Sequence, residues 1–270
     1  LIARWPGNDK WSFKMPVFYP NLGFLFKEHD LLDRVDAAKA CGFGELELPF
    51  PYSIPLDTLK VRLAKVGSSV LTMNTSAGDV AGGEFGLAGV PGREADFAMH
   101  WQSALEYGRA LGVRKIHVMA GVVEPARRQE ALKSYVANLR VAAREAAALG
   151  ITLLLEPINQ RDKPNYLVSH CDVIADVIAE IGEANVKLLF DVYHIQVMEG
   201  DLIRRMQKHF PIIGHVQIAA APSRHEPDEG EIAYGAIFST LEELGYKDPI
   251  AMEYNPRGRT EDGLVWMKKF

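Results

Sequence analysis

Apolar residues in this chain fall in short unbroken runs, and the text between the runs keeps a helical spacing. Residues 151–155 (ITLLL) and 186–190 (VKLLF) are too short for buried helices. Each reads as a strand covered on both faces. Between such runs, Tyr135, Leu139, Ala142 and Ala146 recur at intervals of three and four, the stripe of a helix packed on one side. The alternation persists along the chain. Strand text occupies 17–26, 44–50, 68–74, 115–121, 151–156, 186–191, 214–219 and 249–254. Helix text occupies 30–40, 56–65, 93–111, 127–149, 171–181, 195–208, 236–244 and 261–270. A glycine-rich loop at 77–92 and a polar loop after the seventh strand interrupt it. Apolar strands separated by helices specify a parallel sheet, and eight such pairs in 270 residues specify a closed (β/α)8 barrel. An open doubly wound sheet is the alternative, but no glycine-rich phosphate turn follows the first strand. One barrel domain is expected over 16–270, after an irregular lead-in at 1–15.

Where strands end, carboxylates stand. "LLLEPIN" closes the fifth strand on Glu156 and follows it at once with Pro157, which has no N–H for a sheet ladder and holds its predecessor extended. A carboxylate at that depth needs a partner, since burying it alone costs several kcal/mol or more. Asp191 ends the sixth strand, Gln217 lies near the end of the seventh and Glu253 near the end of the eighth. Barrel enzymes carry their chemistry at these ends. Three carboxylates converging there cannot all ionise without a cation among them. Three carboxylates and an amide carbonyl suit a hard divalent ion, Mg²⁺ or Mn²⁺, better than Zn²⁺.

Each residue also has a plainer reading. A strand-end glutamate often caps or pairs, and Asp191 could N-cap the following helix. His194 is either a buried helix-start histidine or a donor to a substrate oxygen. Arg224 is either a solvated loop residue or the bidentate partner of a substrate carboxylate. Glu47 ends the second strand and reads as a support to the site or to the fold, while Phe50 and Tyr52 fit core and pocket wall equally. The joint placement of Glu156, Asp191, Gln217 and Glu253 favours a site.

Composition narrows the function. A net charge of −5 argues against nucleic acid or an anionic membrane as partner. No apolar stretch reaches the roughly 18 residues of a membrane span. No signal-peptide pattern opens the sequence at Leu1, and Cys41 and Cys171 read as unpaired thiols, so a cytoplasmic location is expected.

The motifs "LLLEPIN", "FDVYHIQ", "GHVQIA", "PSRHEPDEGEI" and "MEYNPRG" resemble the hydroxypyruvate isomerase family of the xylose isomerase-like TIM barrels. "GFGELELPFPY", "NTSAGD" and "PGREADF" extend the resemblance over the chain from Asn21 onward. The stretch around Arg224 is the most specific of these. The resemblance implies a divalent metal on Glu156, Asp191, Gln217 and Glu253, with Glu156 and Glu253 as the acid/base pair. It implies a small 2-oxo acid or ketose substrate, and hydroxypyruvate, isomerised to 2-hydroxy-3-oxopropanoate, heads the expectation. A 2-oxo-tetronate isomerase and a ketose 3-epimerase are the nearest alternatives. The epimerase relatives look to have a histidine where this chain has Gln217. Val80 and Phe85 depart from the family pattern, which expects an aromatic and often an arginine or tryptophan on that loop, so the departure bears on substrate identity. The abasic-site endonuclease relative resembles a many-histidine zinc site and would need a basic face. A non-catalytic sugar-acid binding barrel is the alternative of another class, against which the intact Glu156 and Glu253 stand. Barrels of this type often associate, so a homo-oligomer is an open expectation.

Overall fold

Eight parallel strands stand in the order β1-β8-β7-β6-β5-β4-β3-β2. They are β1 Phe18–Pro20, β2 Glu45–Glu47, β3 Ser69–Asn74, β4 Lys115–His117, β5 Thr152–Leu155, β6 Val186–Asp191, β7 Ile213–Ile218 and β8 Ile250–Met252. The remaining seam, between β1 and β2, closes through one bridge, Asn21 to Glu47, where Leu22 N–H donates to Glu47 O at 2.8 Å. This computed structural model describes residues 16–270, so the lead-in expected at 1–15 lies outside the described residues. The (β/α)8 barrel expected from the alternation is the observed fold.

The helices are α1 Asp33–Ala40, α2 Leu56–Val66, α3 Glu94–Leu111, α4 Arg128–Ala147, α5 Cys171–Ile181, α6 Val192–Met198, α7 Leu202–His209, α8 Tyr234–Glu243 and α9 Thr260–Gly263. On α3 the buried positions Phe97, Trp101, Ala104 and Gly108 form one stripe. A Cβ at Gly108 would lie 3.1 Å from Ile116 Cδ1, so the glycine lets α3 settle closely on β4. Each large apolar side chain buried in this way stabilises the fold by about 1.5–3 kcal/mol.

The strands expected at 44–50 and 115–121 are shorter, Glu45–Glu47 and Lys115–His117, and three further segments differ from the sequence expectation. The strand text at 17–26 is extended only to Pro20, because Asn21 turns the chain. Its Oδ1 accepts Gly23 N–H at 2.8 Å, and its carbonyl accepts the N–H groups of Phe24 and Leu25. The helix expected at 195–208 is two helices. Asp191 caps α6 early, and Gly200 and Asp201 take φ of 63° and 49° between α6 and α7, which no helix continues through. The last helix is a single turn, α9, followed by a 3-10 turn at Leu264–Lys269. There Trp266 packs edge-on against Phe18 at 5.2 Å, and its Nε1–H donates to Tyr254 Oη at 3.0 Å. Cys41 and Cys171 are free thiols. Among the described residues no helix is long and apolar enough to cross a membrane.

Candidate active site

Sheet pairing sets four oxygen-bearing residues at one level. Asp191, last in β6, pairs with Gln217 of β7, whose next residue Ile218 pairs with Met252 of β8. Glu253 follows Met252, and its N–H donates to Ile218 O at 3.1 Å. Glu156 is the first residue past β5, where Pro157 ends the ladder. One ligand atom each from Glu156, Asp191, Glu253 and His194 all lie within 4.8 Å of one another.

The polar atoms here are buried, and three of their oxygens have no partner. Asp191 Oδ1 accepts Tyr193 N–H at 2.8 Å and His194 N–H at 3.3 Å, capping α6, while Oδ2 is buried without a hydrogen bond. Asp191 therefore does cap the helix, and it also faces the site. Glu156 Oε2 lies 3.5 Å from His117 Nδ1, and its Oε1 is buried and unpartnered. Gln217 Oε1 is the third such oxygen. Its Nε2 is occupied by Glu47 Oε1 at 3.1 Å, Glu47 Oε2 at 3.0 Å and Glu253 Oε2 at 2.5 Å.

Burial pushes the Glu156 carboxyl well above the ordinary carboxylate range, and Glu253 and Asp191 push it further. Burial likewise raises Glu253 and Asp191, with Arg224 opposing in both. Arg224 Nη2 stands 2.8 Å from Glu253 Oε1 and 3.9 Å from Asp191 Oδ2, and its guanidinium lies over the rings of Phe24 and Tyr193. One guanidinium cannot balance the carboxylates of Glu47, Glu156, Asp191 and Glu253. The orphaned oxygens of Glu156, Asp191 and Gln217, with Glu253 beside them, fit a hard divalent cation, which takes oxygen ligands and lowers the repulsion among them.

His194 has its role constrained by a neighbour. Asn159 N–H donates to Nδ1 at 3.3 Å, and the Asn159 amide nitrogen lies 2.6 Å from the same atom. Burial, then Arg224, holds the ring neutral by lowering its pKa. A neutral ring that accepts at Nδ1 carries its proton on Nε2. Nε2–H is then a donor, 3.7 Å from both Glu156 Oε1 and Asp191 Oδ2. Arg224 Nη2 approaches the same Nε2 at 3.3 Å, so the guanidinium and the imidazole meet at one edge of the site.

Glu156, His194, Gln217, Arg224 and Glu253 border a cavity of about 300 Å³, with Asp191 just behind them. That volume suits a small ligand, at the lower end of the roughly 300–1,000 Å³ of small-molecule sites. All six residues singled out from the sequence thus come together. Phe50 joins the wall, whereas Tyr52 packs edge-on against Tyr107 and donates its hydroxyl to Asn74 O. Glu47, expected as a support, bonds Gln217 and receives Asn21 Nδ2 at 3.0 Å. The sequence reading missed His117, Asn21, Asp162 and Lys163, which also border the cavity. His117 ends β4 and Asn21 directly follows β1, so both obey the strand-end rule; Asp162 and Lys163 lie in a loop whose course no periodicity reveals.

Comparison with known proteins agrees with this fold. Residues 35–270 match the family model for the xylose isomerase-like TIM barrel. The chain is 44% identical over 257 residues to the 2-oxo-tetronate isomerase of Cupriavidus necator, covering 95% of this chain and 99% of that protein. It is 39% identical over 254 residues to the hydroxypyruvate isomerase of Escherichia coli, covering 94% and 98%. A Brucella melitensis protein whose crystal structure is described as an AP endonuclease, family 2, superposes with a TM-score of 0.92 at 40% identity, covering 95% and 99%. The chain belongs to the xylose isomerase-like TIM barrel family, in the group that holds these isomerases, and is itself an isomerase.

Proposed function

We propose that the chain isomerises a short 2-oxo acid with a hydroxyl at C3, R–CHOH–CO–COO⁻, into R–CO–CHOH–COO⁻. A proton leaves C3, an enediolate forms, and a proton is delivered to C2; no atom is gained or lost. The observation that carries the reading is the convergence of Glu156 and Glu253 on one small cavity, with unpartnered oxygens of Asp191 and Gln217 beside them.

A divalent cation, Mg²⁺ or Mn²⁺, held by Glu156, Asp191, Gln217 and Glu253, would supply Lewis-acid polarisation of the substrate carbonyl. The chain supplies the rest. One of the two glutamates takes the C3 proton and the other serves as the acid toward C2. His194 Nε2–H and the Arg224 guanidinium, which border the same cavity, donate to substrate oxygens and favour the oxyanion. Phe24 and Phe50 line the cavity and limit water around the carbanionic carbon.

The four-carbon acid, 2-oxo-tetronate, heads this reading, because the relative that acts on it is 44% identical, against 39% for the hydroxypyruvate isomerase. Hydroxypyruvate, where R is hydrogen, is the second reading and needs no change in mechanism. Purified protein loaded with Mn²⁺ and given each acid, with products read by proton NMR, tests both. A kcat/KM about tenfold or more in favour of 2-oxo-tetronate supports the first, as a hydroxymethyl group fitted by its pocket should give. The reverse preference establishes the second. Turnover of neither overturns the reading.

A further inference from the structure

The cavity is bordered by two cationic side chains, Arg224 and Lys163. Arg224 is already engaged, 2.8 Å from Glu253 Oε1 and 3.5 Å from Asp162 Oδ2. Lys163 is not. Among the described residues its Nζ has neither a carboxylate partner nor a hydrogen-bond acceptor, and it rests 4.2 Å from the centroid of the Phe85 ring. A ring face orients an ammonium without neutralising it, leaving N–H donors free for an anion.

The backbone fixes where that charge stands. Lys163 N–H donates to Asn159 O at 3.1 Å, and Tyr166 N–H donates to Lys163 O at 3.2 Å. Asn159 is the residue whose N–H sets His194, and its side chain is tied to Asp162 through two hydrogen bonds, at 3.1 and 2.7 Å. The lysine is thus built on the same turn that orients a donor in the site. Phe85 comes from the loop after β3, so two loops meet to hold one unpaired cation against the cavity.

We infer that Lys163, seated on Phe85, receives the carboxylate of the 2-oxo acid and sets the preference for acids over uncharged ketoses. The inference rests on the isomerase reading above. It divides the cations between two tasks: Arg224 stays with Glu253 and the reacting oxygens, and Lys163 takes the C1 carboxylate. The sequence reading gave the carboxylate to Arg224, and this division gives it to Lys163.

The test compares Lys163→Met, Lys163→Arg and Phe85→Leu with the wild-type Mn²⁺-loaded protein. Lys163→Met should raise KM for the 2-oxo acid about 10- to 100-fold, the worth of a hydrogen bond to a charged group, with kcat nearly unchanged. Lys163→Arg should recover most of that loss. Phe85→Leu, which removes only the platform, should raise KM about two- to fivefold. Direct titration with a four-carbon tetronate, which has the carboxylate but no ketone, should weaken in parallel, while Mn²⁺ affinity and melting temperature stay at wild-type values. Unchanged KM and tetronate affinity in a folded Lys163→Met overturn the inference, and so does a fall in kcat at constant KM. If wild type turns over no 2-oxo acid, the isomerase substrate reading fails by itself. Tetronate binding then still reports whether Lys163 holds a carboxylate.

Discussion

Gln217 donates its amide N–H groups to both carboxylate oxygens of Glu47, at 3.1 and 3.0 Å, which leaves its own carbonyl oxygen buried and unpartnered beside Glu156 and Asp191. An ionised carboxylate only accepts, so Glu47, together with Glu253 Oε2 at 2.5 Å from the same Nε2, sets which way the Gln217 amide points. Burial pushes the Glu47 carboxyl up to about 7, while hydrogen bonds from Gln217 and Asn21 favour its ionised form. Glu47→Gln removes one of the two directing carboxylates and loosens the Gln217 amide. Mn²⁺ affinity, measured by calorimetry, should fall about 10- to 100-fold, as when an outer partner of a metal ligand is lost. Wild-type affinity in that variant would show that Gln217 needs no such support.

The two glutamates of the site differ in their surroundings and share one expectation. Glu253→Gln and Glu156→Gln keep size and lose the exchangeable carboxyl. Each should reduce turnover at least about 10²- to 10⁴-fold, the range of general acid–base catalysis, with far-UV circular dichroism unchanged. Near-wild-type turnover in either folded variant removes that residue from proton transfer.

The proposed cation, held among crowded carboxylates, would make the protein's stability depend on it. Glu156, Asp191 and Glu253 are raised above the usual range chiefly by burial, so the site favours whatever neutralises it. A cation present at a hundred times its dissociation constant stabilises the folded state by about 2.7 kcal/mol. At about 2–4 °C per kcal/mol, melting should rise by about 5–10 °C on adding Mn²⁺ after chelation. In Glu156→Gln the chelated protein should melt no lower than wild type, since a neutral amide replaces a buried carboxyl crowded by Glu253 and Asp191, and the Mn²⁺ response should shrink. Identical melting with and without Mn²⁺ in the wild type would contradict a cation site here.

How far the sequence could be read depended on whether a residue belongs to a periodic element. Glu156 was legible because Pro157 marks the end of a strand that apolar text had already defined, and Asp191, Gln217 and Glu253 follow from the same rule. The dual use of Asp191, one oxygen capping α6 and the other turned to the site, was not, since type and spacing do not show how a carboxylate divides its oxygens. The break at Gly200 and Asp201 escaped because apolar spacing runs on across it, while the positive φ angles that stop the helix leave no mark in periodicity. His117 could have been found as a strand-end residue, but a histidine flanked by Ile116 and Val118 reads as core. Lys163 was out of reach. Only the meeting of the loops after β3 and β5 brings it to Phe85.

Carbon-bound deuterium in the product tests the central claim most directly. Wild-type protein with Mn²⁺ would turn over 2-oxo-tetronate in D₂O, and the product would be read by NMR before equilibrium is reached. Proton transfer through an enediolate, with separate glutamates serving C3 and C2, predicts solvent deuterium at C2 of the product. It also predicts that chelation stops both isomerisation and labelling. Product that forms at the same rate but keeps protium at C2 would mean that the same hydrogen is carried from C3 to C2, by a hydride shift or by one shielded base, contradicting the separate roles given to Glu156 and Glu253.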